Sequence, residues 1–130
     1  MSVMLMHHEE DPRAELLKAV GDLSNVQVYN NLILVATYKR PEKTKSGIIL
    51  TDTTRKEDEY QGKVGLVIKK GPLAFVDDKD TGFEGQNVEL GSWVVYRYSD
   101  GTPLSVHGVH CRLIEDTHVK LAVASPDEVL

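Results

Sequence analysis

From Val26 onward the chain offers only short runs of strand-forming residues, each cut off by a turn signal roughly every 8–15 residues. Val26-Gln27-Val28, Leu32–Ala36, Tyr60–Ile68, Gly91–Tyr98, Leu104–Val109, Cys111–Ile114 and Val119–Ala124 are the runs. Gly71-Pro72, Ser99-Asp100-Gly101 and Ser125-Pro126 are the breaks. Such spacing leaves no room for the crossover helices of a doubly wound sheet, so the predicted class is all-β: a small antiparallel β-barrel. One helix precedes it. Asp11 suits an N-cap, Pro12 the first helical position, and Leu16, Leu17, Val20 and Leu23 recur at helical spacing, which predicts an added N-terminal α-helix at about 12–23. The expected division is an extension over 1–25 and a β domain over 26–130.

Charge and composition exclude several functions. The chain has 130 residues with 15 Lys+Arg against 20 Asp+Glu, a net charge of −5, and 6% aromatics. Net acidity opposes a duplex-binding footprint, and sparse aromatics give little for single strands to stack on, so no nucleic acid is expected. No apolar run reaches the ~18 residues of a membrane span, and the start lacks the basic lead-in of a signal peptide. A cytoplasmic address without membrane contact is the expectation. Cys111, the single cysteine, cannot form an internal disulfide.

No phosphate-cradling glycine loop, nucleophile elbow or HExxH helix occurs, and neither cofactor nor catalytic residue is expected. His107, His110, Cys111 and His118 have the right chemistry for zinc. On a regular strand, however, His107 and Cys111 face one side and His110 the other, so no metal site is expected unless Gly108 kinks the strand. The carboxylate groups Glu57-Asp58-Glu59, Asp77-Asp78 and Glu115-Asp116 read as solvated loops without a positioned partner for acid–base work. The chain is not expected to be an enzyme.

The oddest stretch is Ser46-Gly47-Ile48-Ile49-Leu50-Thr51. Three consecutive branched aliphatics sit inside residues 39–63, which carry seven basic and five acidic side chains. In an extended segment three successive side chains cannot all face one core. Either a short buried strand or an exposed loop whose apolar anchor awaits a partner fits this composition.

Thr44–Thr51 resembles the mobile loop of the GroES-type co-chaperonins (the chaperonin-10 family), whose Gly-Ile-Val/Ile-Leu tripod engages the chaperonin. Leu32–Val35 falls where that family has its first core strand. Gln61–Val67 is similar to its Gly-x-Val-x-x-Val strand, and Leu90–Tyr96 to its Val-Gly-Asp-x-Val-x-Phe strand. The likeness covers roughly 27–124. It departs at the N-terminal helix, at Asn30-Asn31 where charged residues are usual, and at residues 71–89, which stand in the place of the family's roof hairpin. A divergent member, cellular or virally encoded, has this pattern.

The resemblance implies a GroES-like barrel with a mobile loop at about 39–60 and a roof-like loop at about 71–89. It implies a co-chaperonin that caps the folding chamber of a GroEL-type chaperonin ring through Ser46, Gly47, Ile48, Ile49, Leu50 and Thr51, working as a homo-oligomer, a heptamer in that family. The rival reading is a GroES-fold structural subunit of a larger assembly, such as a virion component, with the loop as an ordered arm. The GroES-like domain of zinc alcohol dehydrogenases is excluded, since one cysteine and 130 residues supply neither the structural zinc ligands nor the dinucleotide-binding half.

Overall fold

Local chemistry starts and stops the helix. Helix α1 spans Pro12–Val20, with Asp11 at the N-cap position and Pro12 where a missing N–H costs nothing, although the Asp11 side chain makes no capping bond. It ends three residues before the expected Leu23, because Gly21 turns to φ +65 and donates its N–H to Leu17 O. The computed structural model describes residues 11–39, 63–76, 86–97 and 99–129.

Among the described residues six strands follow: β1 Leu32–Thr37, β2 Val64–Lys70, β3 Trp93–Val95, β4 Thr102–Val106, β5 Val109–Glu115 and β6 Leu121–Val123. They form one antiparallel sheet in the order β4-β5-β1-β2-β3-β6. The chain is therefore the small all-β fold with one N-terminal helix that the sequence predicts.

The central strands are buried on both faces, so β1 and the first part of β2 read as unbroken apolar runs rather than alternating ones. One face buries Leu34, Ala36, Leu66, Ile68, Trp93 and Cys111 under Val20 and Val28, with Leu16 and Leu23 packed alongside. The other buries Ile33, Val35, Val67, Val94, Tyr96 and Ile114 with Ala74 and Phe75. Helix α1 thus covers the first face. Gly65, within β2, keeps that strand close to its neighbours: a Cβ there would lie 3.0 Å from Tyr96 Oη and 3.1 Å from Ala36 O.

Several boundaries differ from expectation. Val26–Val28 is irregular, packed through Val28 beneath the sheet face instead of pairing as a strand. The Tyr60–Ile68 run begins pairing at Val64 and continues to Lys70; residues 60–62 lie outside the described residues. The Gly91–Tyr98 run narrows to Trp93–Val95 among the described residues, where β2 and β6 flank β3; Tyr98 lies outside them. Val119–Ala124 likewise narrows to β6. The break between Leu104–Val109 and Cys111–Ile114 falls at His107-Gly108, not at His110: both turn residues have positive φ, +51 and +81, the geometry of a two-residue hairpin. Edge strand β4 is exposed over most of its length and carries Pro103, which removes an edge donor.

Asp116, expected to be solvated, is only 3% exposed. Its Oδ1 accepts from Asn31 Nδ2 (3.0 Å) and its Oδ2 from the Phe75 N–H (3.1 Å), while its own N–H donates to Asn31 O (3.0 Å). The turn after β2 is locked against the turn before β1, with Leu73 N–H donating to Asn30 O (2.9 Å) and Gly71 N–H to Leu32 O (2.8 Å). Asn30 and Phe75 hold left-handed φ values of +57 and +55 within this junction.

Two buried acids are held neutral. Burial pushes the Tyr96 phenol up to about 12; the Thr37 hydroxyl and Arg112 guanidinium draw it slightly back, but no group among the described residues bonds it in good geometry. Burial also pushes the Cys111 thiol up to about 11.

Gly71→Ala is expected to cost more than about 2 kcal/mol in chemical denaturation, because a Cβ there strikes the carbonyl oxygens of Asn30 and Tyr29. Asp116→Ala should cost about 2–4 kcal/mol by leaving the Phe75 N–H and the Asn31 amide without an acceptor. Both raised acids make stability fall at alkaline pH. Over pH 9 to about 11 for Cys111, and pH 10 to about 12 for Tyr96, only the unfolded chain releases the proton. Each group should therefore remove about 1.4 kcal/mol per pH unit within its window. Denaturation midpoints of Tyr96→Phe and Cys111→Ala should decline less steeply with pH than those of the unsubstituted chain.

Candidate functional site

The end of β1 and the start of β2 lie side by side, and residues 40–62 connect them. The ladder continues past Thr37↔Gly65: Tyr38 N–H donates to Val64 O (3.0 Å), and Tyr96 N–H donates to Lys63 O (3.0 Å). Tyr38, the residue before this charged segment, is buried, its ring meeting Trp93 edge-on at 5.7 Å and 86°. Lys39 and Lys63 then turn out to solvent. The two chain ends of segment 40–62 are thus fixed in register by hydrogen bonds and by an aromatic anchor.

Neighbouring strands reinforce this foot. His110, at the start of β5, brings Nδ1 to 3.1 Å from Thr37 Oγ1. Val20, the last residue of α1, shares one buried cluster with Tyr38, Val64 and Cys111. Arg112 is buried and donates from Nη1 to Asp100 O (2.8 Å). The Arg97 guanidinium beside Asp100 holds that carboxyl below its ordinary value.

The other long connection leaves from the opposite end of β2, beyond the turn at 72–75, with Lys70 Nζ donating to Val88 O (3.0 Å) on its return. The two long connections therefore leave opposite ends of β2. Ser46, Gly47, Ile48, Ile49, Leu50 and Thr51 lie outside the described residues, as do residues 77–85 of the roof-like loop. Chain geometry bounds the first set: ten residues past Lys39, Ile49 can lie at most roughly 35 Å from it.

The histidines and cysteine weighed as zinc ligands are occupied separately. His107 Nδ1 meets Val20 O, His110 meets Thr37, His118 Nδ1 accepts from Glu115 N–H at 3.2 Å, and the Cys111 thiol donates to Val109 O at 3.4 Å. Among the described residues no group of three or more His, Cys, Asp and Glu side chains could hold a metal ion. No helix among them is long and apolar enough to cross a membrane.

Sequence reasoning located the apolar triplet and missed its foot. Thr37 and Tyr38 carry no motif, and their signal was the continuation of the β1 apolar run into an aromatic residue just before the charges begin. Val64 stood out only within the Gly62–Val67 strand pattern and His110 only among the zinc-ligand candidates.

Comparison with known proteins places this arrangement. A sequence model of the Chaperonin 10 Kd subunit family matches residues 25–123. The chain is 31% identical over 84 residues to Co-chaperonin GroES of Halothermothrix orenii, covering 65% of this chain and 81% of that protein. It is 27% identical over 95 residues to Co-chaperonin GroES of Clostridium beijerinckii, covering 73% and 94%. Helix α1 precedes the matched region. With the sheet, its clamped loop foot and a family match across most of its length, the chain belongs to the chaperonin 10 family.

Proposed function

We propose that this protein is a co-chaperonin that caps a GroEL-type chaperonin ring, docking through Ser46–Thr51. The observation that carries the reading is the family match over residues 25–123, which spans the apolar triplet and both strands that anchor its loop. The two GroES relatives support the same role, and neither lends support to a virion subunit.

The energetics favour a ring over a single contact. Burying Ile48, Ile49 and Leu50 yields about 1.5–3 kcal/mol each, roughly 5–9 kcal/mol per loop. Ordering about ten loop residues on docking costs ~1 kcal/mol apiece and cancels most of that gain. One loop alone binds feebly. Several loops held on one homo-oligomer and engaging several chaperonin subunits bind through effective concentration, and each contact stays weak enough to release. Gly47 lets the backbone turn as the loop docks, and the charged flanks keep the triplet soluble. In this reading the protein does its work in the cytoplasm with no catalytic residue of its own; nucleotide hydrolysis belongs to the partner.

Ile49→Asp is expected to abolish nucleotide-dependent co-migration with a GroEL-type chaperonin while leaving the circular dichroism and denaturation midpoint unchanged. Capping that survives this change would displace the triplet from its role. Sedimentation of the purified protein should give a ring near seven copies of the 14.5 kDa chain. A monomer that persists at micromolar concentration contradicts the multivalent mechanism.

A further inference from the structure

Helix α1 lies outside the family-matched region, yet its C-terminal end is pinned to the sheet on the side of the loop foot. Its last carbonyl, Val20 O, accepts from His107 Nδ1 at 2.5 Å, which assigns the ring proton to that nitrogen. Three residues on, beyond the helix, Leu23 O accepts from Lys69 Nζ at 2.6 Å, toward the end of β2 away from the foot. The Val20 side chain itself is buried in the cluster that holds Tyr38, Val64 and Cys111.

His107 is an unusual choice for its place. It stands at φ +51 in the β4–β5 hairpin, where asparagine, aspartate or glycine is the ordinary occupant and a bulkier side chain is disfavoured. Its imidazole reaches the helix end, and the carbonyl groups of a helix C-terminus need donors once the helix stops. The same hairpin enters β5, whose second residue, His110, bonds Thr37 at the end of β1.

We infer that the N-terminal helix is a brace for the loop foot, latched there by His107 and held by Lys69 farther along β2, so that the strand ends carrying the docking loop are ordered before the partner arrives. The brace deepens the capping reading and rests on it for its consequence, but the latch and its effect on the foot are properties of the chain alone. Residues already fixed in the free protein need not be ordered on docking. Loosening the foot lowers the affinity of each loop by about five- to tenfold, and the loss compounds across a ring.

The test is His107→Asn in the full-length protein, since asparagine tolerates the left-handed turn and removes the imidazole. Amide hydrogen exchange is expected to quicken about tenfold at Gly21, whose N–H closes the last helical turn on Leu17 O, and to quicken also at Tyr38. Chaperonin affinity should fall with it. Unchanged exchange at Gly21 would overturn the latch; faster exchange at Gly21 with an unaltered Tyr38 would overturn the brace. Lys69→Met releases the same strap at Leu23 and is scored identically if His107→Asn disturbs the whole sheet. Should no chaperonin bind even the unsubstituted protein, the capping reading fails, while the exchange data still decide the brace.

Discussion

Asp116 brings together three segments that are distant in sequence: the turn before β1, the turn after β2 and the exit from β5. A buried carboxylate is costly unless its oxygens are satisfied, and here each accepts from a different segment. The bonds fix where β1 and β2 begin their antiparallel run relative to β5. Ladder pairing then carries that register along the sheet, so the opposite ends of β1 and β2 meet at Tyr38 and Val64. Polar chemistry at one end of the sheet thus sets the geometry of the loop foot at the other.

Strand existence was legible because β1 and the first part of β2 are nearly unbroken apolar runs, and a chain with such runs has few ways to bury them. Helix α1 was legible from its Pro12 start and its leucine spacing. The Asp116 junction was not, because a carboxylate beside Glu115 near a turn looks identical on paper whether it is solvated or buried. Only the approach of Asn31 and Phe75, 85 and 41 residues away in sequence, distinguishes the two. Asn30 and Asn31 illustrate the same limit. They stand out in sequence as departures from the family pattern, and in the structure one adopts the left-handed turn while the other supplies the amide to Asp116.

The His107-Gly108 turn was hidden for a different reason. Histidine is not a hairpin-turn signature, so the run from Leu104 to Val109 read as one strand. Its placement follows from a tertiary contact, the helix end at Val20, which no local pattern encodes. Of the candidate docking site, the triplet was conspicuous by its hydrophobicity. The residues that hold its foot were concealed because anchoring a loop requires ordinary strand residues in the right register, not a special motif.

The closed ladder at Tyr38 and Val64 also bears on how such a protein can diverge. A connection clamped at its base transmits little of its own length to the core, and closure entropy grows by only about 0.6 kcal/mol for each doubling of loop length. Insertions and deletions between Lys39 and Lys63 are therefore nearly neutral for folding while changing how far an apolar anchor can reach. Reach and stability become separate traits, and a lineage can refit the loop to a partner of different dimensions without renegotiating the sheet beneath it.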